Sequence, residues 1–500
     1  MIKARTSAGA RHWWRGRWAR PTGALAVACA ALGVAAPAAS AVPAHGAVRA
    51  GGSAAAGDRS GVGPVTDISR CPGRNAEVEE ATAPPAYVYV AWIGCGGEGF
   101  ARSVDGGKTF QKPITLPDSG GSDDPAMAVA ANGTVYVSYL RYHGSHAYPV
   151  VATSFDHGRT FSQVSSLIPA RKGNWGDRDF IAAGRNGTVY VTWDYGPSAA
   201  DVKIICSPVG SCAYQAVDAT AVIQKSTDYG KTWGPITPMQ PGFPAGGGYD
   251  ASVQVQRDGR VDALIWGHHL NPVTFAVHPG HEYFTSSRNG TTWPRLPAAV
   301  APQAGSIAIP TWWIDGDLGT DAAGQLYATW DTQTRRGDIG WLAYSTNHGR
   351  SWSAPVRVTR DHDNAMHDVE VVGAGAGVAD VAWQSDNSPL GYATFLRPFS
   401  ITKGWLAPAI QVSPQYGDKR IWPGDTFGLS ILPAGRKNAP ERISLTWGSA
   451  IKGHTHSEIY GAVVTLPHRL YAGGCSIQSK RDHQERPLRL TLHESPRFHD

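Results

Sequence analysis

The sequence predicts an all-β fold, a β-propeller of four-stranded antiparallel blades, on three observations. The first is an eight-residue motif written five times: SVDGGKTF from Ser103, SFDHGRTF from Ser154, STDYGKTW from Ser226, SSRNGTTW from Ser286 and STNHGRSW from Ser345. A short motif recurring every 51 to 72 residues marks a repeat architecture. The second is a set of seven strand-like runs ending in an aromatic: AYVYVAW (Ala86), GTVYVSY (Gly133), GTVYVTW (Gly187), GRVDALIW (Gly259), GQLYATW (Gly324), GVADVAW (Gly377) and ISLTW (Ile443). The third is a short apolar strand ahead of most of these runs, such as Met127 to Ala130, and another behind the motif, such as Pro113 to Leu116. Each unit is therefore a four-stranded meander, and a ring of such units protects its sheet edges by radial repetition.

The elements follow in order. In the eight-residue motif an Asp or Asn side chain accepts hydrogen bonds from turn amides, Gly supplies a positive φ, and the closing Trp or Phe enters the layer beside the strand. The seven runs alternate at period two, and most follow a Gly turn, as half-buried antiparallel strands should. The seventh unit has a third strand at Ile459 to Leu466 and no clear fourth, whereas Pro64 to Ile68 resembles a fourth strand with no unit before it. This N-terminal segment is expected to complete the last blade. Seven blades result, with six plus an irregular element as the alternative, because the last two units lack a clear turn motif.

Residues 1–41 read as a secretory signal: Arg5, Arg11, Arg15, Arg17 and Arg20 form a basic start, Ala24 to Ala38 an apolar run, and Ala39-Ser40-Ala41 a small-residue cleavage site. The run is too short and Ala-rich to span a membrane. Residues 42–61 read as a flexible leader, 62–467 as the propeller, and 468–500, where Arg, His and Gln gather, as a poorly ordered tail. A secreted, extracellular location follows.

Six of the 45 basic residues leave with the signal, so 39 remain against 40 acidic ones. That balance gives no electrostatic case for nucleic acid. Export implies an oxidising compartment, in which Cys71 with Cys95 and Cys206 with Cys212 are expected to pair. No Cys/His spacing matches a zinc site. No cofactor is expected, although acids gathered around an axis suit a structural calcium ion. The expected partner is a glycan or polysaccharide, and the chain is expected to be a monomer without a membrane association once the signal is removed.

The eight-residue repeats resemble the Asp boxes of the sialidase (BNR-repeat) superfamily of propellers. The resemblance spans Ser103 to Trp352 by the boxes and extends to Trp447 by the strand units. It implies a propeller that acts on carbohydrate. In that superfamily the sialidases hold a carboxylated sugar with three arginines, use a Tyr assisted by Glu as nucleophile and an Asp as acid/base. The Arg-Ile-Pro signature of true sialidases is absent here, Ser69-Arg70-Cys71-Pro72 being the nearest early segment, and no Tyr/Glu pair can be assigned by motif.

If the tight Gly turns and the eight-residue turns share one end of the propeller, the loops that lead into first strands and out of second strands share the other. An acid recurs in six of the lead-in loops: Ser122-Asp123-Asp124-Pro125, Trp175-Gly176-Asp177-Arg178-Asp179, Gly248-Tyr249-Asp250, Trp312-Trp313-Ile314-Asp315-Gly316-Asp317, Ala365-Met366-His367-Asp368 and Trp422-Pro423-Gly424-Asp425. Carboxylates around a central funnel suit general acid/base hydrolysis of a glycosidic bond, and exposed aromatics suit stacking on sugar faces. Asp177, Asp179, Asp250, Asp315 and Asp368 are the candidates for acid, base or nucleophile. Arg178 is the candidate anchor for an anionic group. Trp175, Trp193, Tyr195, Tyr249, His268, Trp313, His367 and Asp425 are the candidates for substrate contact. A glycoside hydrolase of the sialidase-like kind is the leading expectation. A non-catalytic glycan- or protein-binding propeller, and a polysaccharide lyase using a Tyr/His base with Arg178 on a uronate, are the alternatives.

Overall fold

The structure is a computed structural model that describes residues 61–471 except 144–145, 170–174, 197–201, 207–211, 217–219, 243–248, 271–276, 301–315, 335–336, 359–364, 388–390, 435–438 and 452–453. The signal, almost all of the leader and the tail beyond Tyr471 lie outside these residues. Seven antiparallel sheets of at least four strands form the blades of a propeller. Their first strands, taken in order, are Ala76–Ala83, Asp123–Val129, Trp175–Ala183, Tyr249–Val255, Asp317–Thr320, Ala365–Gly373 and Gly428–Ile431. Blade 3 carries an extra hairpin, Val202–Cys206 with Cys212–Ala216, between its second and third strands.

The ring closes as the sequence predicts. Gly61–Val62 and Thr66–Asp67 pair antiparallel with Glu458–Leu466, so the N-terminal segment supplies the outer edge of blade 7. The first of these strands begins one residue inside the expected leader. The first strand of blade 1 then meets blade 7 directly, where Thr82 Oγ1 donates to Ile431 O at 2.7 Å. Beyond Leu466 a short helix, His468–Tyr471, opens the segment expected to be poorly ordered. Leu470 and Tyr471 pack on the core there, and the Tyr471 hydroxyl donates to the buried Asp380 at 2.8 Å. No helix among the described residues is long and apolar enough to cross a membrane.

The five repeated motifs are hairpin turns between third and fourth strands. In the second, Asp156 accepts from Ser154 Oγ (2.8 Å), Arg159 N (3.0 Å), Thr160 N (2.9 Å) and Thr160 Oγ1 (2.7 Å), while the Gly158 amide donates to Ser154 Oγ at 2.8 Å. Asp105 and Asp228 repeat the pattern. Its aromatic inserts into the preceding blade: Phe161 lies edge-on to Phe100 of blade 1, ring centres 4.8 Å apart. The fourth motif starts one residue later than its letters suggest. Ser287, not Ser286, caps Asn289 and accepts from Gly290 N, and the Ser286 hydroxyl turns instead to Asp262.

The aromatics that end the second strands are the wall between blades. Trp92, Tyr139, Trp193, Trp266, Trp330, Trp383 and Trp447 are all buried, none more than 3% exposed. Large rings at a fixed radius fill the widening gap between twisted sheets, and each contributes a large buried apolar area. This corrects one expectation: Trp193, at 0% exposure, has no face to offer a sugar.

Candidate active site

Backbone contacts fix which loops share an end. The amide of Gly106, in the first box, donates to Ala86 O in the turn between the first two strands of its blade, Tyr229 N donates likewise to Gly187 O at 2.8 Å, and Ile401 N to Gly377 O. Boxes and tight turns therefore lie together, and the lead-in loops lie at the opposite end. The disulfide Cys71–Cys95 belongs to that second end, joining the loop into blade 1 to the loop leaving its second strand. Cys206 faces Cys212 in the register of the blade 3 hairpin, but their side chains lie outside what is described.

The recurrent acid of the lead-in loops has a structural cause. Pairing of first and second strands breaks at the same place in several blades. Ala76 and Val78 face Ile93 and Trp92, leaving Glu77 extra. Asp123 and Ala126 face Leu140 and Ser138, so Asp124-Pro125 opposes Tyr139 alone. Asp177 and Phe180 face Asp194 and Thr192, so Arg178-Asp179 opposes Trp193 alone. Tyr249 and Ala251 face Trp266 and Ile265, with Asp250 extra. Such β-bulges re-aim side chains and mark functional rims. Glu77, Asp124 and Arg178 adopt left-handed φ values of 49°, 51° and 46°. That conformation costs about 1–2 kcal/mol for an L residue, so its repetition in three successive blades is a built feature.

The bulges of blades 1 to 3 and the loop into blade 7 converge. One oxygen each of Glu77, Asp123 and Asp124 lies within 4.8 Å of the others. The Arg178 amide donates to Asp124 Oδ2 at 3.4 Å, and its Nη2 stands 3.4 Å from Asp425 Oδ2. Glu77 N donates to Pro423 O at 3.3 Å. A side chain at the next residue, Gly424, would meet that same Glu77 amide at 2.2 Å, and Gly424 itself holds φ 110°. Only glycine brings Asp425 this close. The Arg74 guanidinium stacks on the Trp422 ring, 4.3 Å from its centre.

Burial shapes the charges. Glu77 is driven well above the usual carboxylate range by burial first, and then by the charges of Asp425, Asp124 and Asp123. Neither oxygen of Asp179 has a hydrogen-bond partner among the described residues. Burial lifts its carboxyl well above the ordinary value, against the nearby Ser138 hydroxyl and with help from Asp124 and Asp177. Glu98 is lifted by burial as well, although its Oε1 accepts from Ser122 Oγ at 2.8 Å. The first strands of successive blades contact one another all the way round, blade 7 meeting blade 1, which places them around one axis. The end thus combines carboxyls whose burial favours the protonated form with one that faces an arginine, the mixture that acid/base chemistry needs.

Of the residues the sequence singled out, Arg178, Asp179 and Asp425 lie in this buried cluster, and Asp177 and Tyr195 stand half-buried at its edge. Arg178 is engaged with Asp425, which takes up part of the charge expected to anchor an anion. Trp175, Tyr249, Asp250, His268, His367 and Asp368 are described in backbone alone, and Trp313 and Asp315 lie outside the described residues. Glu77, Arg74 and Glu98 were not foreseen, and Asp123 and Asp124 were noted in their loop but not chosen. The signal for Glu77 was its place one residue ahead of Val78, the bulge position of the other blades.

No protein-family model matches the sequence, and no curated protein matches it. Among solved structures, the chain is similar to a PL25 ulvan lyase, a polysaccharide lyase bound to -[GlcA(1-4)Rha3S]- (TM-score 0.50, 14% identity, 82% of this chain and 95% of that one). It is also similar to an α-L-arabinanase of Penicillium chrysogenum complexed with arabinobiose (TM-score 0.48, 13% identity, 82% and 99%). A third is the NanB sialidase of Streptococcus pneumoniae (TM-score 0.45, 9% identity, 77% and 84%). The architecture is that of a seven-bladed β-propeller. At these identities the likeness is one of fold, and the chemistry of this propeller has to be read from its own axial end.

Proposed function

We propose that this propeller is a secreted, carbohydrate-active enzyme, a sialidase-like glycoside hydrolase that cleaves a glycosidic bond at its axial end. The observation that carries the reading is the convergence of the strained bulges of blades 1 to 3 with the loop into blade 7, which brings acids and Arg178 together opposite the boxes. In this reading Asp179, buried and without a hydrogen-bond partner among the described residues, is the proton donor to the leaving oxygen, and the half-buried Asp177 is the base or nucleophile. Arg178 lies between them in the chain and orients the sugar. Tyr195 stands at the edge, where it can stack on a sugar face. Asp250, Asp315 and Asp368 belong to the same ring of lead-in loops and are retained as further candidates.

The polysaccharide lyase named above has the same fold and was captured with a GlcA-containing oligosaccharide, so elimination is the second reading. The two differ in product. Hydrolysis gives a new reducing end and no unsaturation, whereas elimination leaves an unsaturated uronate. The test is a panel of sialosides, neutral polysaccharides and uronate polysaccharides, followed for reducing ends and for ultraviolet absorbance. Reducing ends without absorbance support the hydrolase. Absorbance would move the assignment to a lyase, and retention of glycan without turnover would move it to a binding propeller.

A further inference from the structure

Glu77 is fully buried, and neither of its carboxylate oxygens has a hydrogen-bond partner among the described residues. A buried carboxylate in that state is costly, because the water it gave up has not been replaced. Its neighbours add to the cost. Asp123 and Asp124 bring oxygens within 4.8 Å of it and of each other, and the loop that carries Asp425 lies against it, the Glu77 amide donating to Pro423 O at 3.3 Å. Asp425 also keeps a buried oxygen, Oδ1, without a partner, while Oδ2 faces Arg178.

Four acids, Glu77, Asp123, Asp124 and Asp425, gather here with two guanidiniums, those of Arg178 and Arg74. A divalent cation would supply the partner that the Glu77 oxygens lack among the described residues.

We infer that Glu77, Asp123 and Asp124, backed by the free oxygen of Asp425, form a calcium-binding site where blades 1, 2 and 7 meet at the axial end. The donors are all carboxylate oxygens, hard ligands without a His or Cys among them, which disfavours zinc. Oxygens on opposite sides of one calcium ion stand roughly 4.6–5.2 Å apart, since each bond is about 2.3–2.6 Å. The observed spread fits within one such shell. Irregular placement by two bulges and a loop suits calcium better than magnesium, which demands near-ideal octahedral geometry. Occupancy would tie the first strands of blades 1 and 2 to the loop into blade 7.

The test is calcium titration of chelator-treated protein, read by calorimetry and thermal unfolding. The expected result is one calcium ion per chain and a melting temperature raised by calcium. Glu77→Gln and Asp123→Asn should each lose about tenfold or more in affinity. In chelator Glu77→Gln should melt at or above the wild-type temperature, because it removes a buried acid that has no hydrogen-bond partner among the described residues. No binding at about 1 mM free calcium, the weak end of known protein sites, would overturn the inference, as would affinity unchanged in both variants. If Glu77→Gln does not fold, Asp123→Asn decides alone. Because the readouts are binding and melting, failure here leaves the hydrolase reading standing, and absence of turnover leaves this site standing.

Discussion

Glu80, on the first strand of blade 1, accepts a 2.7 Å hydrogen bond from the Ser430 hydroxyl on the first strand of blade 7. Ser444 Oγ donates to its other oxygen at 3.0 Å. The contact joins residues 350 apart in the chain, so it exists only once the ring has closed.

This latch should make stability fall between mildly acid and neutral pH. Burial raises the Glu80 carboxyl from 4.5 to about 7, the hydroxyls of Ser430, Ser444 and Thr446 opposing the shift. A folded-state value above the unfolded one gives a contribution that is fully present below pH 4.5 and lost as pH rises through 7. The scale is about 3 kcal/mol, at 1.36 kcal/mol per unit. Glu80→Gln should flatten that part of the stability–pH curve, measured by urea unfolding, and Ser430→Ala should destabilise by about 1–3 kcal/mol by stranding a buried acceptor. An unchanged curve in Glu80→Gln would remove the latch as the cause.

The Asp-centred turns of the repeats should act in the opposite pH direction. Asp105, Asp156 and Asp228 are held at about 2; some burial raises Asp105 and Asp156, but hydrogen bonds from Thr and Ser hydroxyls and turn amides outweigh it. Their folded values lie below the ordinary 3.8, so their contribution is present above pH 3.8 and lost as pH falls through 2. Asp156→Ala should cost about 1–2 kcal/mol in denaturant unfolding near neutral pH, as loss of a helix-cap carboxylate does. Turnover should not change, since the boxes stand at the end opposite the site.

The disulfide Cys71–Cys95 closes a loop of 24 residues at the end opposite the repeated turns. Chain entropy sets its stabilisation at about 3 kcal/mol. Asn75, inside that loop, accepts from Trp92 Nε1 at 2.9 Å and leads directly into the Glu77 bulge. Reduction should therefore lower the melting temperature and weaken calcium binding together. Melting that falls with calcium affinity unchanged would show that the loop does not set the site.

How far the sequence could be read follows from where the physics is local. The boxes were legible because Ser, Asp, Gly and Thr satisfy each other within eight residues, and the closing role of Pro64 to Ile68 was legible because a ring leaves one strand over. The start of the fourth box was not, because Ser286 and Ser287 both offer hydroxyls and only the contact with Asp262 tells them apart. The cluster at the axis was half legible. Its acids recur in the lead-in loops, yet which of them meet depends on bulges that a period-two pattern does not display. Glu77 sits in the run Ala76-Glu77-Val78-Glu79-Glu80, which reads as an ordinary alternating strand, and its left-handed φ belongs to a bulge against which the Pro423-Gly424 backbone packs. The burial of Trp193 was hidden for the converse reason: a Trp at a strand end looks the same in sequence whether its neighbour is a sugar or the next blade.

Trp193 and Tyr195 should accordingly separate in their effects. Trp193→Ala opens a cavity between blades and should cost about 3–5 kcal/mol. Tyr195, half-buried and edge-on to Trp193 with ring centres 6.4 Å apart, packs only on the edge of the same core. Tyr195→Ala should keep the melting temperature within a few degrees and raise KM on the glycan substrate. Equal loss of stability in both would mean that Tyr195 is core as well.

Asp177 and Asp179 carry the sharpest consequence, because their surroundings differ although two residues separate them. Asp179 is buried, and that burial raises its carboxyl well above the ordinary value; Asp177 is half-buried and pairs through its backbone with Asp194 at the strand end. A general acid contributes about 10²–10⁴-fold to a rate, so Asp179→Asn should lower kcat by that factor on a substrate with a poor leaving group. It should do much less on an activated aryl glycoside, whose leaving group needs no proton. Asp177→Ala should lose activity on both, and azide should restore turnover if Asp177 is the nucleophile or base. Asp179→Asn should also melt higher than the wild type at neutral pH, since it replaces a buried acid that has no hydrogen-bond partner by a neutral amide. Equal rate losses on both substrates in Asp179→Asn would show that this carboxyl is not the proton donor, and the acid would then be sought among Asp250, Asp315 and Asp368 on the same ring of loops.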